Sequence, residues 1–458
     1  MLADLSSIAI EELLIFSSIG FLIIGLDDVI IDLIWLGRGA WRRLFLFRRY
    51  ARATMETLDG PRCPGRLAIF IGAWAESDVI GPMLRAALDR IDHDDYRIYV
   101  GTYANDPATV RAVSAVADPR IRQVIGLVDG PTTKGECLNR VWQALVEDEA
   151  RDNILYKAVV IHDAEDVIHR AELRLFDAMI ERFDLVQLPV LPLVNPASPW
   201  VAGHYCDEFA EAHGRHLVVR EALGAGLPLA GVGCAISRHA MDRMAAAGAG
   251  KPFDETSLTE DYEIGIRLKD QGLGGIFMSI PARPGGPPVA VRAHFPADFR
   301  SAVRQKARWM VGIALAGWDR LGWNGSWAEC WMRLRDRKAL LAAVLLAVAY
   351  LAAGLWLLRA AVGWLTGTPP MQMDPMLIPL LQANLGLLVW RVAMRFLSVS
   401  RFYGPREGAM AALRIIPANV IALAAAARAL VQYVRLVRGG RLSWDKTSHA
   451  FPTSLPVE

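Results

Sequence analysis

Cysteine is sparse and unpatterned in this chain. Its five residues, Cys63, Cys137, Cys206, Cys234 and Cys330, form no C-x-x-C pair. An odd, scattered set argues against a disulfide framework or a thiolate zinc site, and reads as reduced thiols in a cytosolic compartment. Net charge is equally scant, +2 at pH 7, which gives no overall basic surface of the kind nucleic acid binding uses. No internal repeat and no low-complexity segment is present. The N-terminus lacks the basic region and small-residue cleavage site of a secretory leader, starting instead with Asp4, Glu11 and Glu12.

Apolar sequence is plentiful by contrast: 53% of residues are hydrophobic and 21% charged, with the charges grouped. That grouping predicts soluble and membrane parts in one chain. Residues 13–36 are long enough to span, since roughly 20 residues cross the hydrocarbon. Asp27, Asp28 and Asp32 interrupt this run. Charges inside a span are costly, so these carboxylates should lie near the cytoplasmic interface or face protein. Arg38, Arg42, Arg43, Arg48, Arg49 and Arg52 follow, and by the positive-inside rule they hold the next domain in the cytoplasm.

Two further apolar runs, 339–358 and 376–390, have basic flanks (Arg333 to Lys338 before, Arg391 to Arg406 after) and a loop without Lys or Arg between them. They read as a hairpin entering and leaving on the cytoplasmic side. The run 415–434 carries Arg428 and reads as an interfacial helix, because a crossing would place the basic tail outside. Three spans are therefore expected.

Between these parts the sequence reads as α/β. The segments 67–72, 96–101, 121–125 and 158–161 are short apolar runs with β-branched residues, as buried parallel strands should be. Helical stretches at 78–91, 106–116 and 134–149 alternate with them, predicting a Rossmann-like doubly wound sheet. Ligands of such sheets bind beyond the carboxyl ends of the strands. The expected divisions are 1–63 for the first span and its basic segment, 64–325 for the catalytic domain, 326–409 for the hairpin, and 410–458 for the interfacial helix and tail.

Three motifs carry chemistry. His162-Asp-Ala-Glu-Asp166 directly follows a predicted buried strand. Two carboxylates at a strand end repel unless a cation lies between them, and Mg²⁺ or Mn²⁺ shared with substrate phosphates meets that need; an acidic loop before a helix is the bland alternative. Leu258-Thr-Glu-Asp261 opens an amphipathic helix, so Asp261 is either a general base or part of an ordinary helix N-terminus. Gln305, Arg308 and Trp309 are spaced to share one helix face. An amide, a guanidinium and an indole together suit a diphosphate and a stacked sugar ring, although an interfacial helix with a boundary aromatic is the other reading.

Taken together, these motifs resemble the family 2 glycosyltransferases of GT-A fold, in the membrane-bound, synthase-like branch. In that family a D-x-D-type site, a T-E-D and a Q-x-x-R-W follow one another in this order. The likeness extends through Gly25-Leu-Asp-Asp28, Tyr103-Ala-Asn-Asp-Pro107, Thr133-Lys-Gly-Glu-Cys-Leu-Asn139 and Trp444-Asp-Lys-Thr447 with His449, covering nearly the whole chain.

The resemblance implies that Glu76 and Asp106 line the nucleoside pocket and that Lys134 approaches the nucleotide. Asp163 and Glu165 stand at the metal-binding positions, with Asp166 beside them at the substrate. Asp261 is the implied base, with Glu260 next to it, while Gln305, Arg308 and Trp309 hold pyrophosphate and acceptor. It further implies an inverting transfer from a nucleotide-sugar, UDP-linked, onto a glycan or lipid-linked acceptor for a bacterial exopolysaccharide or envelope glycan. The implied setting is the bacterial inner membrane, with Mg²⁺ or Mn²⁺ and an outer-membrane or export partner.

The chain departs from the family pattern at Ala75, where relatives usually carry Asn, and at Glu165-Asp166, which leaves open which acid meets the metal. A non-catalytic membrane receptor or scaffold on a degenerate transferase fold is the alternative; retention of Asp163, Asp261 and Gln305–Trp309 argues against it. Trp444 to His449 forms either a flap over the site or a loose tail.

Overall fold

The computed structural model describes residues 2–367, 369–440, 450–452 and 454–455. Trp444 to His449 therefore lies outside the described residues.

Seven strands form one sheet in the order β3-β2-β1-β4-β6-β5-β7. They are β1 (Leu67–Gly72), β2 (Tyr96–Tyr103), β3 (Ile121–Gly126), β4 (Ala158–Asp163), β5 (Leu185–Gln187), β6 (Cys234–Ser237) and β7 (Gly275–Phe277). The first four match the apolar runs read from the sequence, and helices Ile80–Arg90, Pro107–Ser114 and Lys134–Asp152 stand between them as expected. β1 is flanked in parallel by β2 and β4, whereas β6 runs antiparallel to β4 and β5.

Both faces of the sheet are covered. Leu67, Ile69 and Ile71 of β1 enter one core, and Ala68 and Phe70 enter the other, the period-two alternation that a strand imposes. Because β1 and β4 are in register, Gly72 lies beside Asp163. The turns that follow both strands therefore rise from the same edge.

Among the described residues four helices are long and apolar enough to cross a membrane: the N-terminal helix, Ala339–Thr366, Leu377–Tyr403 and Ile415–Val437. Length and composition thus place the fourth beside the three expected spans. Its Ile421, Ala425 and Ala429 are buried, packing in two apolar clusters with Ala302, Ala307 and Val311. The long helix therefore lies along Phe299–Trp309, which carries the Gln-Arg-Trp group.

Asp27, Asp28 and Asp32 of the N-terminal helix face protein, as charge in an apolar span requires. Asp27 accepts from Trp331 Nε1 at 2.7 Å and pairs with Lys338 at 2.7 Å and with Arg335. Asp28 meets Arg335 at 2.9 Å and Lys338 at 2.8 Å. Asp32 meets Arg215 at 2.6 Å and Trp390 Nε1 at 2.8 Å.

A second set of ion pairs runs from helix Val201–Glu211. Asp207 takes both forks of Arg414 at 2.8 and 2.9 Å, and Glu211 meets Arg395 at 2.9 Å. Pairing of this kind is needed because a buried charge left alone is strongly destabilising. It ties helix Leu377–Tyr403 and the start of helix Ile415–Val437 to helix Val201–Glu211. The chain also returns to that part at its far end, where Phe451 packs on the core that contains Leu67.

Candidate functional site

A single cleft opens beyond the carboxyl ends of β1 and β4. It is lined by all but one of the candidate residues: Glu76, Lys134, Asp163, Glu165, Asp166, Glu260, Asp261, Gln305, Arg308 and Trp309. Three motifs far apart in sequence thus face one space.

Lys134 is the first residue of helix Lys134–Asp152, whose start is fixed by the Thr133 hydroxyl accepting from the Glu136 N–H. From there its ammonium reaches Asp163 Oδ1 at 2.5 Å and the Gly231 carbonyl at 3.4 Å. Burial opposes its charge, yet Asp163, Glu260 and Asp261 together hold its pKa above the ordinary lysine value. Lys134 is therefore a cation at neutral pH, surrounded by carboxylates.

Behind Asp163 lies a fully buried imidazole. His162 bonds to Asp166 at 2.9 Å through Nδ1 and to Glu172 at 2.7 Å through Nε2. Burial works against its charge, but Glu172 and Asp166 outweigh it and raise its pKa to about 10. Asp166 Oδ2 also accepts the Asp163 N–H at 3.0 Å. One oxygen of Asp166 is thereby committed to shaping the turn that carries Asp163. Of the two acids after Asp163, Asp166 is bonded to His162, and Glu165 also lines the cleft. A pair of cleft carboxylates fits a hard divalent cation whose remaining ligands come from substrate oxygens. Among the described residues no group of three or more His, Cys, Asp or Glu side chains is placed to hold a metal ion by itself.

Glu260 and Asp261 open helix Glu260–Asp270. The Thr259 hydroxyl makes no capping bond and is buried without a partner, while Glu260, Asp261 and Glu263 place negative charge in the first turn. Asp261 Oδ1 accepts the adjacent Tyr262 N–H, at 2.8 Å. Its other oxygen lies against Gly231, where a Cβ would come within 2.3 Å of Oδ2. Gly231 also has φ of +76°, so both the backbone and the space at this position require glycine. Burial and the neighbouring Asp261 push Glu260 up to about 7, and burial also raises Asp261. A carboxylate moved toward neutrality is a better proton acceptor at neutral pH than an ordinary one.

Asp106 is the candidate that does not line the cleft. It is the N-cap of helix Pro107–Ser114, accepting from the Thr109 N–H, and it also accepts the Ala75 N–H at 2.6 Å. The Thr109 hydroxyl takes the Glu76 N–H at 2.9 Å. Asp106 therefore acts one layer back, by holding the turn that delivers Glu76. Ala75 sits there with φ of +50°, a left-handed conformation that Asn adopts more readily than Ala. The Asp106 bond to its N–H holds this geometry at Ala75.

Helix Phe299–Trp309 is capped by Asp298 and brings Gln305, Arg308 and Trp309 to the cleft in its last turns. Arg308 is an electrostatic neighbour of Glu260 and Asp261. Trp309 meets the Tyr205 and Phe209 rings edge-on, at 6.2 and 6.4 Å between centroids. Phe209, His294 and Phe295 also line the cleft, and the sequence reading missed them. They belong to no recognisable motif: Phe209 lies in a helix between β5 and β6, and His294 and Phe295 lie in a strandless stretch after β7.

A family model described as "Glycosyl transferase family group 2" matches residues 158–394. Bacteriophage adsorption protein B of Escherichia coli K12 is 38% identical over 452 residues, covering 94% of this chain. Bacteriophage N4 adsorption protein B of E. coli O157:H7 matches equally. The chain spans 60% of the length of each of these relatives. Among solved structures, a mannosyltransferase from Pyrobaculum calidifontis, in complex with GDP-Man and Mn²⁺, superposes with a TM-score of 0.51 at 15% identity. That match covers 89% of this chain and 99% of the other. At that identity the likeness carries the fold, and the fold is GT-A.

Proposed function

The chain belongs to glycosyl transferase family group 2, and from that membership we propose that it moves a sugar, with inversion, from a UDP-linked nucleotide-sugar onto a glycan or lipid-linked acceptor. The observation that carries this reading is the convergence of Asp163, Asp261 and Arg308, from three separate motifs, on one cleft beyond the strand ends.

Each residue then has a task. Asp261 takes the proton from the acceptor hydroxyl as its oxygen attacks the anomeric carbon. The bond from that carbon to the diphosphate oxygen breaks, and the diphosphate leaves with the electron pair. Lys134 and Arg308 are the protein cations that face the departing charge, so no protein acid is needed at the leaving group. Asp163 and Glu165 would hold Mg²⁺ or Mn²⁺, which supplies charge neutralisation to the diphosphate when bound. His162 and Asp166 keep Asp163 in position, while Asp106 and Thr109 keep Glu76 at the nucleoside end.

The full chain, purified and given a panel of nucleotide-sugars with membrane extract as acceptor source, should release UDP from one UDP-sugar and label the extract. Silence across the whole panel would remove the transferase reading, and release of GDP alone would remove only the UDP assignment.

We place the catalytic part on the cytoplasmic side of the bacterial inner membrane. Support comes from the arginines that flank the apolar helices. A reporter at Asn195 should read as cytoplasmic and one near Met371 as external. The packing of Ile415–Val437 along Phe299–Trp309 favours a helix lying at the interface, and an external reading for a C-terminal reporter would instead make it a span.

A further inference from the structure

Many basic side chains at the bases of the apolar helices are paired with carboxylates. Arg335 and Lys338 meet Asp27 and Asp28, Arg395 meets Glu211, and Arg414 meets Asp207. Arg38 meets Glu221 at 3.2 Å, and Arg42, one turn on, faces the same carboxylate. Arg43, Arg52 and Arg401 break this pattern. All three are exposed, and among the described residues no carboxylate comes within 4.0 Å of any of them. Yet they converge, since the charges that face Arg401 are those of Arg43 and Arg52.

Local structure brings them together. The N-terminal helix ends at Trp41 in a π-helical turn, Arg42–Leu46, and the chain then bends so that the Tyr50 N–H meets the Leu46 carbonyl at 3.0 Å. The Phe47 ring holds two guanidinium groups, that of Arg42 at 5.1 Å and that of Arg52 at 4.5 Å. Arg401 comes from the last turn of helix Leu377–Tyr403, with its guanidinium over the Phe402 ring at 5.5 Å. Two segments far apart in sequence thus deliver like charges to one place, where they repel unless an anion lies among them. The positive-inside rule asks only that arginines lie on this side. It does not ask that three of them, from separate segments, meet without a carboxylate.

Their depth is that of lipid phosphates. Counted along its helix at 1.5 Å per residue, Arg401 lies roughly 36 Å from Leu377. That exceeds the ~30 Å of hydrocarbon and falls short of the ~40–45 Å that includes both headgroup layers. Exposed apolar side chains lead up to the arginines on both segments: Leu36, Trp41, Leu44 and Phe45 on the first, Phe396 and Leu397 on the second. A phosphate can accept from several guanidinium groups at once.

We propose that Arg43, Arg52 and Arg401 form a binding site for the headgroup phosphate of an anionic phospholipid in the cytoplasmic leaflet. The phosphate stands where the other arginines have a carboxylate, and it joins the end of the N-terminal helix to the end of the second helix of the hairpin. The site takes from the reading above only the placement of the apolar helices in a membrane.

The test titrates the full chain in detergent with short-chain phosphatidylglycerol, beside phosphatidylcholine and inorganic phosphate, and reads bound ligand by native mass spectrometry. Phosphatidylglycerol should be retained, and neither of the other two should match it. Arg43→Gln, Arg52→Gln and Arg401→Gln together should weaken retention by about a hundredfold, at roughly fivefold for each arginine. Arg401→Gln alone should cost about fivefold and Arg401→Lys less, because the charge stays; these single variants carry the test if the triple variant fails to fold. The control, Arg48→Gln, Arg49→Gln and Arg406→Gln together, removes as much charge from the same two regions and should leave retention nearly unchanged. Equal weakening by the two triple variants would show a diffuse basic surface and overturn the site. Full retention in the first triple variant, equal binding of phosphatidylcholine, or no retention by the wild type would overturn it too. Inorganic phosphate bound as tightly as the lipid would make the occupant a free anion and overturn it likewise. No donor or acceptor enters these measurements, so their failure leaves the glycosyl transfer in place, and an absence of transfer leaves the lipid site in place.

Discussion

Asp163→Ala should abolish turnover while leaving the fold intact, and excess chelator should do the same to the wild-type protein. Asp163 shares the cleft with Glu165 and holds Lys134 at 2.5 Å. Losing it removes one of two candidate metal ligands and one of the three carboxylates around the lysine. Lewis-acid stabilisation of a leaving oxyanion is worth several kcal/mol, so a loss of roughly 4 kcal/mol, about 10³-fold in rate, is the least to expect. The fold should tolerate the change for two reasons. The Asp163 side chain is about a third exposed, at 35%, which discounts its ion pair through solvent screening. Glu260 and Asp261 also remain to face Lys134, so no buried cation is stranded. The measurement is product formation with added Mg²⁺ or Mn²⁺, beside a thermal melt. Full turnover in excess chelator would show that Lys134 and Arg308 alone neutralise the diphosphate.

What the sequence made legible follows from how each feature is encoded. β1 to β4 were readable because strands buried on both faces are continuous apolar runs with β-branched residues. β5 and β7 have only three residues each, too few for any period to register. The charged half of the site was readable because it sits in short motifs at element ends, where local sequence and site geometry coincide. Asp106 is ambiguous in the sequence for a related reason: an acid after β2 can point at a ligand or cap the following helix, the same Asp-Pro pair encodes both, and here the cap is made. The aromatic half was not readable. Phe209, His294 and Phe295 meet only through tertiary packing, and each alone is an ordinary apolar or aromatic residue.

Helix Val201–Glu211 shows how the membrane part and the cleft depend on one another. Phe209 lines the cleft, Glu208 pairs with Lys306 of the Gln-Arg-Trp helix, and Asp207 and Glu211 are held by Arg414 and Arg395. Adjacent residues of one helix thus join the aromatic wall of the cleft to Arg395 on helix Leu377–Tyr403 and to Arg414 at the start of helix Ile415–Val437, so these arginines brace that wall.

Asp261→Asn separates catalysis from architecture at the remaining key position. If Asp261 is the general base, asparagine keeps its shape and its bond to the Tyr262 N–H but cannot accept the acceptor's proton. Loss of a general base costs about 10²- to 10⁴-fold, so kcat should fall by that order while donor affinity moves little. Were Asp261 only a helix-terminal residue, asparagine would serve about as well as aspartate. Asp261 stands in the first turn of its helix, and its other oxygen lies against Gly231 in the cleft, so the substitution is what separates the two readings. The substitution also removes one negative charge beside Lys134 and Glu260, and Glu260, relieved of that neighbour, should titrate lower than about 7. A residual activity whose pH profile shifts to the acid side would therefore identify Glu260 as the substitute base. Near-normal turnover with an unshifted profile would mean that neither carboxylate takes the proton.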